Sequence, residues 1–365
     1  MSARDRFAID EDIRKASTLP GWVYTDAEAY ERIRDRVFAR SWQLAGDTDR
    51  VKVPGQVSPF TLLESFLEEP LLLTRDKSDT LHCLSNVCTH RANLVAENEG
   101  VEPFLRCRYH GRRFALDGKF LSMPEFEQTA SFPSPADDLK PVMLGVWAKF
   151  LFVSLDPMCP FDAWIGDLRA RVRWLPMAES LHDAARSREY LVRANWALYC
   201  DNYLEGFHIP FVHAGLASAL DYGSYRTELF PWGSLQVGIA NEGEDCFALP
   251  PGSPDKSQRV AAYYFWLYPN TMFNFYPWGL SINVVRPLAL DRTKVSFLSY
   301  VIDPSRLEVG AGATLDRVER EDERIVEAAQ RGAGSRFYDR GRYSPTREQG
   351  VHHFHRLLAR SLDGD

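Results

Sequence analysis

Two short cysteine–histidine pairs constrain this chain more than any other feature. One residue separates Cys88 from His90 in the run CTH, two separate Cys107 from His110 in the run CRYH, and sixteen lie between the pairs. Thiolates and imidazoles are both metal ligands, and such a set seldom arises by chance. We therefore expect this part of the chain to fold into two loops that meet at one metal centre.

The mixing of residue types within each pair indicates the kind of centre. Structural zinc sites, the first alternative, combine Cys-x-x-Cys with His-x(3–5)-His pairs. Here each pair supplies one thiolate and one imidazole, which suits a 2Fe-2S cluster of the Rieske type. Cys88 and Cys107 would bind one iron, and His90 and His110 the other. Replacing two thiolates by neutral imidazoles removes negative charge and raises the reduction potential.

The residues around the pairs fit loops that pack against a cluster. Gly111 directly follows the second pair, and Asp117-Gly118 offers another tight turn. Two residues depart from the commonest form of this pattern: Arg108 stands where proline is frequent, and Arg112 where an aromatic residue is frequent. These departures bear on cluster solvation and partner docking rather than on ligation.

Length and composition limit the class of protein. The 365 residues suffice for two domains, and a hydrophobic content of 45% is typical of a globular protein. A net charge of -7 gives no reason to expect a nucleic acid or a membrane surface as partner. The start MSARDRFAIDEDIRKAS has acidic residues and no apolar run, so we expect no targeting peptide and a cytoplasmic location. Four cysteines lack ligand spacing and are expected to be core thiols: Cys83, Cys159, Cys200 and Cys246.

Periodicity predicts an all-β region followed by a region that mixes helix and sheet. The expected strands are 71–74, 81–86 and 146–155 in the first region and 261–268, 272–275, 281–285 and 295–301 in the second. The expected helices are 27–42, 164–175, 196–208 and 314–330. The apolar stretches are interrupted by proline and polar residues, so no membrane span is expected. The predicted fold class is α+β.

A second metal site is indicated by the run DNYLEGFHIPFVH. On a helix Asp201, Glu205 and His208 would share one face at spacings i, i+4 and i+7. His213 lies too far round an ideal helix to join them, but Pro210 should kink or end that helix. A kink of this kind would bring both imidazoles to one metal.

A carboxylate ligand is suggested by a charged residue in an apolar stripe. Asp322 lies in the middle of this stripe, whose members are Leu315, Val318, Ile325, Val326 and Ala329. Burying an unpaired carboxylate is costly, so it must be paired, protonated or bound to a cation. Two histidines and one carboxylate form the facial triad of non-haem Fe(II) oxygenases. The alternative is that Asp322 pairs with an arginine while His208 and His213 are ordinary core groups. The glutamates of this segment are expected nearer the edges of the stripe or off it: Glu319, Glu321, Glu323 and Glu327.

Over nearly its full length the chain resembles the catalytic (alpha) subunits of Rieske non-haem iron oxygenases. The likeness lies in the CTH and CRYH pairs, DNYLEGFHIPFVH, VEREDERIVEAAQRG and GRYSPTREQGVHHFHRLL. It implies an N-terminal segment (1–45), an all-β Rieske domain (46–157) and an α+β helix-grip (START/Bet v1-like) catalytic domain (158–365), usually in a homotrimer. It also implies that Glu205 carries electrons between the cluster of one subunit and the iron of its neighbour. Asp201 is expected to stand beside the iron ligands without binding the metal.

Within that family the second half is most similar to choline monooxygenase and related quaternary ammonium oxygenases. The similarity implies that O2 and electrons from a separate reductase of the flavin or ferredoxin type hydroxylate or N-demethylate a quaternary ammonium compound. No Gly-x-Gly-x-x-Gly run follows a strand, so NAD(P)H would act only through that reductase. The alternatives are an aromatic ring-hydroxylating oxygenase and a pure Rieske electron carrier. Iron content distinguishes the last, with about two irons per chain in a carrier and about three in an oxygenase.

Two further clusters allow more than one interpretation. Nine aromatic residues between positions 263 and 278 could include a cation-π cage for an ammonium group, although alternation along strands turns about half of them elsewhere and core packing is commoner. His352, His353 and His355 could bind a metal, but a docking tail is the preferred interpretation.

Overall fold

A computed structural model describes residues 7–213, 215, 220–313 and 315–363. Its described residues divide into two compact units. One lies within Ala39–Met158, and the other lies within Met1–Phe38 and Cys159–Asp365. The smaller is called the β unit below and the larger the mixed unit.

The β unit consists of strands joined by turns and short 3-10 segments. A seven-stranded sheet has the order β1-β10-β9-β4-β3-β2-β5, and a small sheet has the order β6-β7-β8. The strands are β1 Gln43–Asp47, β2 Gln56–Leu62, β3 Glu69–Arg75, β4 Leu81–Ser85, β5 Gly100–Val101, β6 Leu105–Arg106, β7 Arg113–Phe114, β8 Phe120–Ser122, β9 Pro141–Trp147 and β10 Phe150–Ser154.

The strand expected at 146–155 is in fact the end of one strand and the whole of the next. β9 and β10 pair as an antiparallel hairpin in which Trp147 faces Phe150. Ala148, in the turn between them, has a φ of 53°, a left-handed conformation that ends the first strand. Ala148 and Lys149 form this turn, so the polar interruption between the two apolar strands is a single lysine.

The mixed unit contains one antiparallel sheet of the order β11-β17-β16-β15-β14-β13-β12. Its strands are β11 Leu181–Val192, β12 Arg226–Phe230, β13 Gly233–Ile239, β14 Val260–Leu267, β15 Thr271–Tyr276, β16 Gly279–Ala289 and β17 Arg292–Val301. Its helices are α1 Ala27–Arg36, α2 Phe161–Val172, α3 Trp196–Tyr203, α4 Ile209–Val212, α5 Leu315–Ala333 and α6 Gln349–Asp363. The predicted α+β fold class is therefore confirmed.

Helices cover this sheet through aromatic contacts. Trp196 of α3 and Trp266 of β14 both pack edge-on against Phe354 of α6. Trp164 of α2 donates its indole N–H to the carbonyl of Tyr268 at 2.8 Å. The central strands β14, β15 and β16 are consequently buried on both faces, which explains why they read as near-continuous apolar runs.

One helix differs from its predicted bounds in a way that matters for function. α3 ends at Tyr203 rather than at His208. Gly206 lies so close to the ring of Tyr225 that a Cβ atom there would come within 2.7 Å of it, so the chain turns where only glycine fits. The predicted start of α5, Thr314, lies outside the described residues. None of the helices in the described ranges is both long enough and apolar enough to cross a bilayer.

Candidate metal centres and substrate cavity

The β unit brings the four predicted cluster ligands to two neighbouring loops. The loop after β4 carries Cys88 and His90 and is closed by a hydrogen bond from the Cys88 N–H to the Asn93 carbonyl at 2.9 Å. The loop between β6 and β7 carries Cys107 and His110. The two imidazole rings lie 4.7 Å apart, centre to centre.

The burial of these side chains fits a cluster with one inner and one outer iron. Cys88 and Cys107 are both buried, whereas His90 is half-buried and His110 is exposed. Burial raises the pKa of the Cys88 thiol. The pKa of His90 is lowered, mainly by burial and to a smaller extent by the nearby His110. His90 is therefore neutral near pH 7, the form that binds metal. The Asn93 amide donates to the Cys107 sulfur at 3.6 Å, a contact of the kind that tunes cluster potential.

The predicted turns and the two unusual arginines have clear positions. Gly111 and Gly118 have φ values of 76° and 88°, so both tight turns use conformations that favour glycine. Arg108 is exposed and lies 3.9 Å from Glu97. Arg112, in contrast, is only 2% exposed and pairs with Asp137 at 2.6 Å.

Arg112 and Asp137 together tie the two ligand loops. Arg112 follows the second loop and donates to both the carboxylate and the carbonyl of Asp137, at 2.6 and 3.2 Å. Thr89, within the first loop, donates to the same carbonyl at 2.8 Å. Three phenylalanine rings surround the guanidinium at 5.0 to 5.7 Å: Phe114, Phe120 and Phe132. The position where an aromatic residue was expected thus holds a cation that is itself enclosed by aromatic rings.

The mixed unit brings together all three predicted ligands of the second metal. The ligand atoms of His208, His213 and Asp322 lie within 4.8 Å of one another. The Asp322 Oδ1 is 3.0 Å from the His213 Nε2 and 3.5 Å from the His208 Nε2. Donors bound to one metal at about 2 Å each lie ~3 Å apart, so the set fits a single ion.

The two histidines converge for a reason that differs from the one predicted. Because α3 stops at Tyr203, they are not joined by a kinked helix. Instead they flank the single turn of α4, with His208 before it and His213 after it. Pro210 occupies the first turn of that helix, where its missing N–H costs nothing. The rings lie 5.1 Å apart at an interplanar angle of 79°.

Carboxylates hold the outer nitrogens of both imidazoles. The Nδ1 of His208 lies 2.6 Å from the Glu205 Oε1, and the Nδ1 of His213 lies 2.8 Å from the Glu321 Oε2. Such partners fix the tautomer, so that each Nε2 points towards Asp322. Burial lowers the pKa of His213, but the bonds to Asp322 and Glu321 outweigh it and leave that pKa raised. Glu321 was expected at the edge of the stripe or off it, and its role was not foreseen.

One predicted detail is wrong. Asp201 does not share a helical face with Glu205 and His208, because α3 ends at Tyr203. The Asp201 carboxylate accepts a hydrogen bond from Tyr24 and lies against His355, each at 2.8 Å. The second carboxylate oxygen of Glu205 accepts the backbone N–H groups of Phe207 and His208.

The inner face of α5 is more acidic than its sequence suggested. Asp322 faces inward as predicted, but Ile325 of the apolar stripe is 46% exposed. Glu319, expected at the edge of the stripe or off it, is only 3% exposed. Tyr199 donates to its Oε2 at 2.6 Å, and no described group donates to its Oε1. Burial raises the pKa of Glu319 to about 8.

A cavity of about 100 Å³ lies against the three ligands. The strand register determines which sheet residues line this cavity. Gln236, Tyr264 and Asn274 stand opposite one another on three adjacent strands, so all three face it. Other strand residues that line it are Tyr276, Asn283 and Phe297, and residues from elsewhere in the unit include Tyr199, Asn202, Tyr203, Tyr225 and Glu319. Only Tyr264 and Tyr276 of the nine aromatic residues proposed for a cage reach this cavity. The others lie outside its lining, several of them packed in the core.

The C-terminal histidines bind different partners rather than one metal. His352 meets the Asp10 carbonyl at 2.8 Å, His353 the Phe230 carbonyl at 2.7 Å, and His355 the Asp201 carboxylate at 2.8 Å. All three therefore help to dock α6. The six cysteines are free, and Cys83 and Cys200 are buried core thiols as expected.

Comparisons with known proteins agree with this geometry. Residues 41–133 match the Rieske [2Fe-2S] domain, and residues 177–364 match the ring hydroxylating alpha subunit (catalytic domain). The chain is 33% identical to a chloroplastic choline monooxygenase of Arabidopsis thaliana, over 96% of this chain and 84% of that protein. It is 30% identical to the carnitine monooxygenase oxygenase subunit of Escherichia coli K12, over 95% of this chain and 94% of that one. The fold matches a solved quaternary ammonium Rieske monooxygenase with a TM-score of 0.76 at 23% identity, covering 97% of this chain and 100% of the other.

The chain therefore belongs to the family of Rieske non-haem iron oxygenase alpha subunits. Members of this family carry a Rieske 2Fe-2S cluster and a mononuclear iron, and a separate reductase supplies their electrons. The chain is thus an oxidoreductase of the oxygenase type.

Proposed function

We propose that this protein is the oxygenase subunit of a monooxygenase that hydroxylates or N-demethylates a small quaternary ammonium compound. The observation that carries the proposal is the tyrosine-lined cavity beside His208, His213 and Asp322. Four tyrosines contribute to its wall besides Tyr199: Tyr203, Tyr225, Tyr264 and Tyr276. Aromatic faces attract quaternary ammonium groups by about 0.5–2 kcal/mol each. The choline and carnitine monooxygenases among the relatives act on compounds of that class by name.

We propose His208, His213 and Asp322 as the ligands of the mononuclear iron, and Cys88, His90, Cys107 and His110 as those of the cluster. When bound, the iron supplies a site for O2 activation and the cluster supplies an electron. The residues of the chain do the positioning. Glu205 and Glu321 fix the two imidazoles from behind, and the cavity wall holds the substrate beside the metal while excluding water.

The tyrosine hydroxyls of the cavity are already bonded to the protein. Tyr203 donates to the Asn274 side chain at 2.8 Å and to the Phe265 carbonyl at 3.1 Å, and Tyr225 donates to the Gln236 side chain at 3.2 Å. Because these bonds tie down the hydroxyl ends, the rings are held in place, which favours a pre-formed site for a cation.

Turnover assays test the substrate class. The iron-loaded protein, with a surrogate reductase, should consume O2 with quaternary ammonium compounds and release a hydroxylated or demethylated product. A flat aromatic hydrocarbon such as naphthalene should not be oxidised, because the cavity wall carries amide and carboxyl groups from Gln236, Asn274 and Glu319. Oxidation of the hydrocarbon but of none of the ammonium compounds would refute the proposal.

We also propose that electrons pass between subunits of a homotrimer and that Glu205 lies on their path. The bond from its Oε1 to the His208 Nδ1 supports this role, since it links the carboxylate directly to a proposed iron ligand. The bonds of its Oε2 to backbone amides mean that this oxygen must leave them to contact a neighbouring subunit. A related structure is associated by name with inter-subunit electron transfer.

Single-turnover oxidation of the pre-reduced cluster tests Glu205. In Glu205→Gln both metal sites should fill, whereas cluster oxidation in the presence of substrate and O2 should slow by at least about tenfold, since the carboxylate charge is lost. The matched control is Asp316→Asn. Asp316 is another acid of the mixed unit, and its carboxylate accepts a hydrogen bond from Tyr190 at 2.6 Å. Wild-type cluster oxidation in Glu205→Gln would show that electrons take another route.

The domain boundaries, the location and the class of reductase stay predictions. We propose an N-terminal segment (1–45), a Rieske domain (46–157) and a catalytic domain (158–365), which the division of the structure after Phe38 and Met158 supports. A cytoplasmic location and a reductase of the flavin or ferredoxin type complete the proposal.

A further inference from the structure

Glu319 is the one carboxyl group of the described cavity lining with a buried oxygen to which no described group donates. Of the other two acids in the wall, Asp322 belongs to the proposed iron ligands and Glu205 is bonded to His208. Glu319 accepts only the Tyr199 hydroxyl, through its Oε2. A buried carboxyl oxygen without a donor costs free energy unless a ligand or a cation provides what the protein does not.

No lysine or arginine lies among the described residues that line this cavity. Arg320, next to Glu319 in sequence, is 58% exposed and pairs with Glu323. Apart from the proposed iron, the described lining thus offers a ligand carboxyl groups and no cationic side chain.

A cluster of arginines lines a neighbouring cavity. That second cavity, of about 370 Å³, shares Phe297 and Leu315 with the first and is lined by Arg186, Arg188 and Arg317. Two of the three are paired, Arg186 with Glu308 and Arg317 with Glu321. They therefore do not balance a negative group placed beside the iron ligands.

We propose that Glu319 selects a substrate with a net positive charge, a quaternary ammonium compound without a carboxylate, over zwitterions that carry one. The inference rests on the proposed function and narrows its substrate class. An ammonium group among the tyrosines gives the Glu319 carboxylate an opposite charge, and such a neighbour favours the ionised form. Apart from the proposed iron, whose charge Asp322 partly neutralises, the carboxylate of a zwitterion would meet no cationic side chain of the described lining, and the like charges of Glu319 and Glu205 at short range would repel it. The small size of the cavity also favours a compact ligand.

Equilibrium binding to the iron-loaded protein without reductase tests this. The probes are choline, its uncharged carbon isostere, and the zwitterions carnitine and γ-butyrobetaine, measured by calorimetry. Choline should bind at least roughly tenfold more tightly than the isostere and than either zwitterion. In Glu319→Gln the affinity for choline should fall by roughly tenfold or more while that for the isostere stays unchanged. Glu323→Gln, which alters another acid of α5 outside the cavity, is the control and should bind choline as the wild type does.

Each outcome has a distinct meaning. Tighter binding of a zwitterion than of choline, or an undiminished preference for choline in Glu319→Gln, overturns the role of Glu319 and leaves the proposed function in place. If none of the ammonium compounds binds, the proposed function itself fails. Should Glu319→Gln not fold, tighter binding of a zwitterion than of choline to the wild-type protein would still overturn the proposed selection.

Discussion

Replacing Arg112 by methionine should destabilise the β unit and its cluster. Methionine keeps the length and apolar surface of the side chain but removes the guanidinium. Asp137 would lose its bonds at 2.6 and 3.2 Å, and the three surrounding phenylalanine rings would lose their cation. Since Thr89 and Arg112 both bond Asp137, the change also removes the tie between the two ligand loops.

The size of the effect follows from burial. Removing one partner of a buried ion pair typically costs about 3–5 kcal/mol. Asp137 is 19% exposed and keeps two bonds from Ser134, at 2.7 and 3.0 Å, so we expect the lower end of that range, about 3 kcal/mol. The bond to Arg112 lowers the pKa of Asp137. The pair therefore stabilises the fold above a pH of about 4, and this contribution declines as the pH falls through the lowered pKa.

Thermal loss of the visible cluster absorption at pH 7 is a suitable assay. For a unit of this size about 3 kcal/mol corresponds to a fall of ~10 °C in the midpoint. Arg108→Met is the matched control, because Arg108 flanks the same pair but is 76% exposed, and it should shift the midpoint by less than about 2 °C. Equal midpoints for the two variants would show that the buried ion pair does not hold the ligand loops together.

Three further predictions concern the mixed unit. His213→Ala and Asp322→Ala should each lower the iron content from about three to about two per chain, with an unchanged cluster spectrum and no turnover, and full iron content in either variant would exclude that residue as a ligand. Glu321→Gln should weaken iron binding by roughly tenfold or more, measured by chelator competition, because the His213 Nδ1 loses its anionic partner. Burial lowers the pKa of His353 to about 4, so stability is lost as the pH falls from about 6.5 towards 4, where only the unfolded chain binds the proton. His353→Gln should therefore gain about 2 kcal/mol relative to the wild type between pH 7 and pH 5, and parallel pH profiles of the thermal midpoint would contradict this.

The cluster ligands could be predicted from the sequence because their signal is local. Cys88 and His90, like Cys107 and His110, are so close in sequence that each pair fits a single loop, and only one kind of centre suits a mixed pair. Asp322 could be predicted for a related reason, since a charge inside an apolar helical stripe needs a partner wherever the helix packs.

Other parts of the site depend on contacts between distant segments. α3 ends at Tyr203, and the chain beyond it brings Gly206 against the ring of Tyr225, a contact that local spacing does not contain. The depth of Glu319 depends on Tyr199, 120 residues away in sequence, which donates to its carboxylate. A helical wheel assigns residues to faces but does not state which angle of the helix is buried most deeply.

The sequence by itself predicted the α+β class, which is confirmed, and the proposed ligands of the two metal centres, because these rest on residue chemistry and on spacing along the chain. The tertiary structure alone decided which aromatic residues line the cavity and which carboxylates face it. Strand alternation leaves two possible faces for every aromatic run, and the register that sets Tyr264 beside Gln236 and Asn274 arises from hydrogen bonding between strands. That register places Tyr264 and Tyr276 at the cavity, whereas the packing of α5 places Glu319 there.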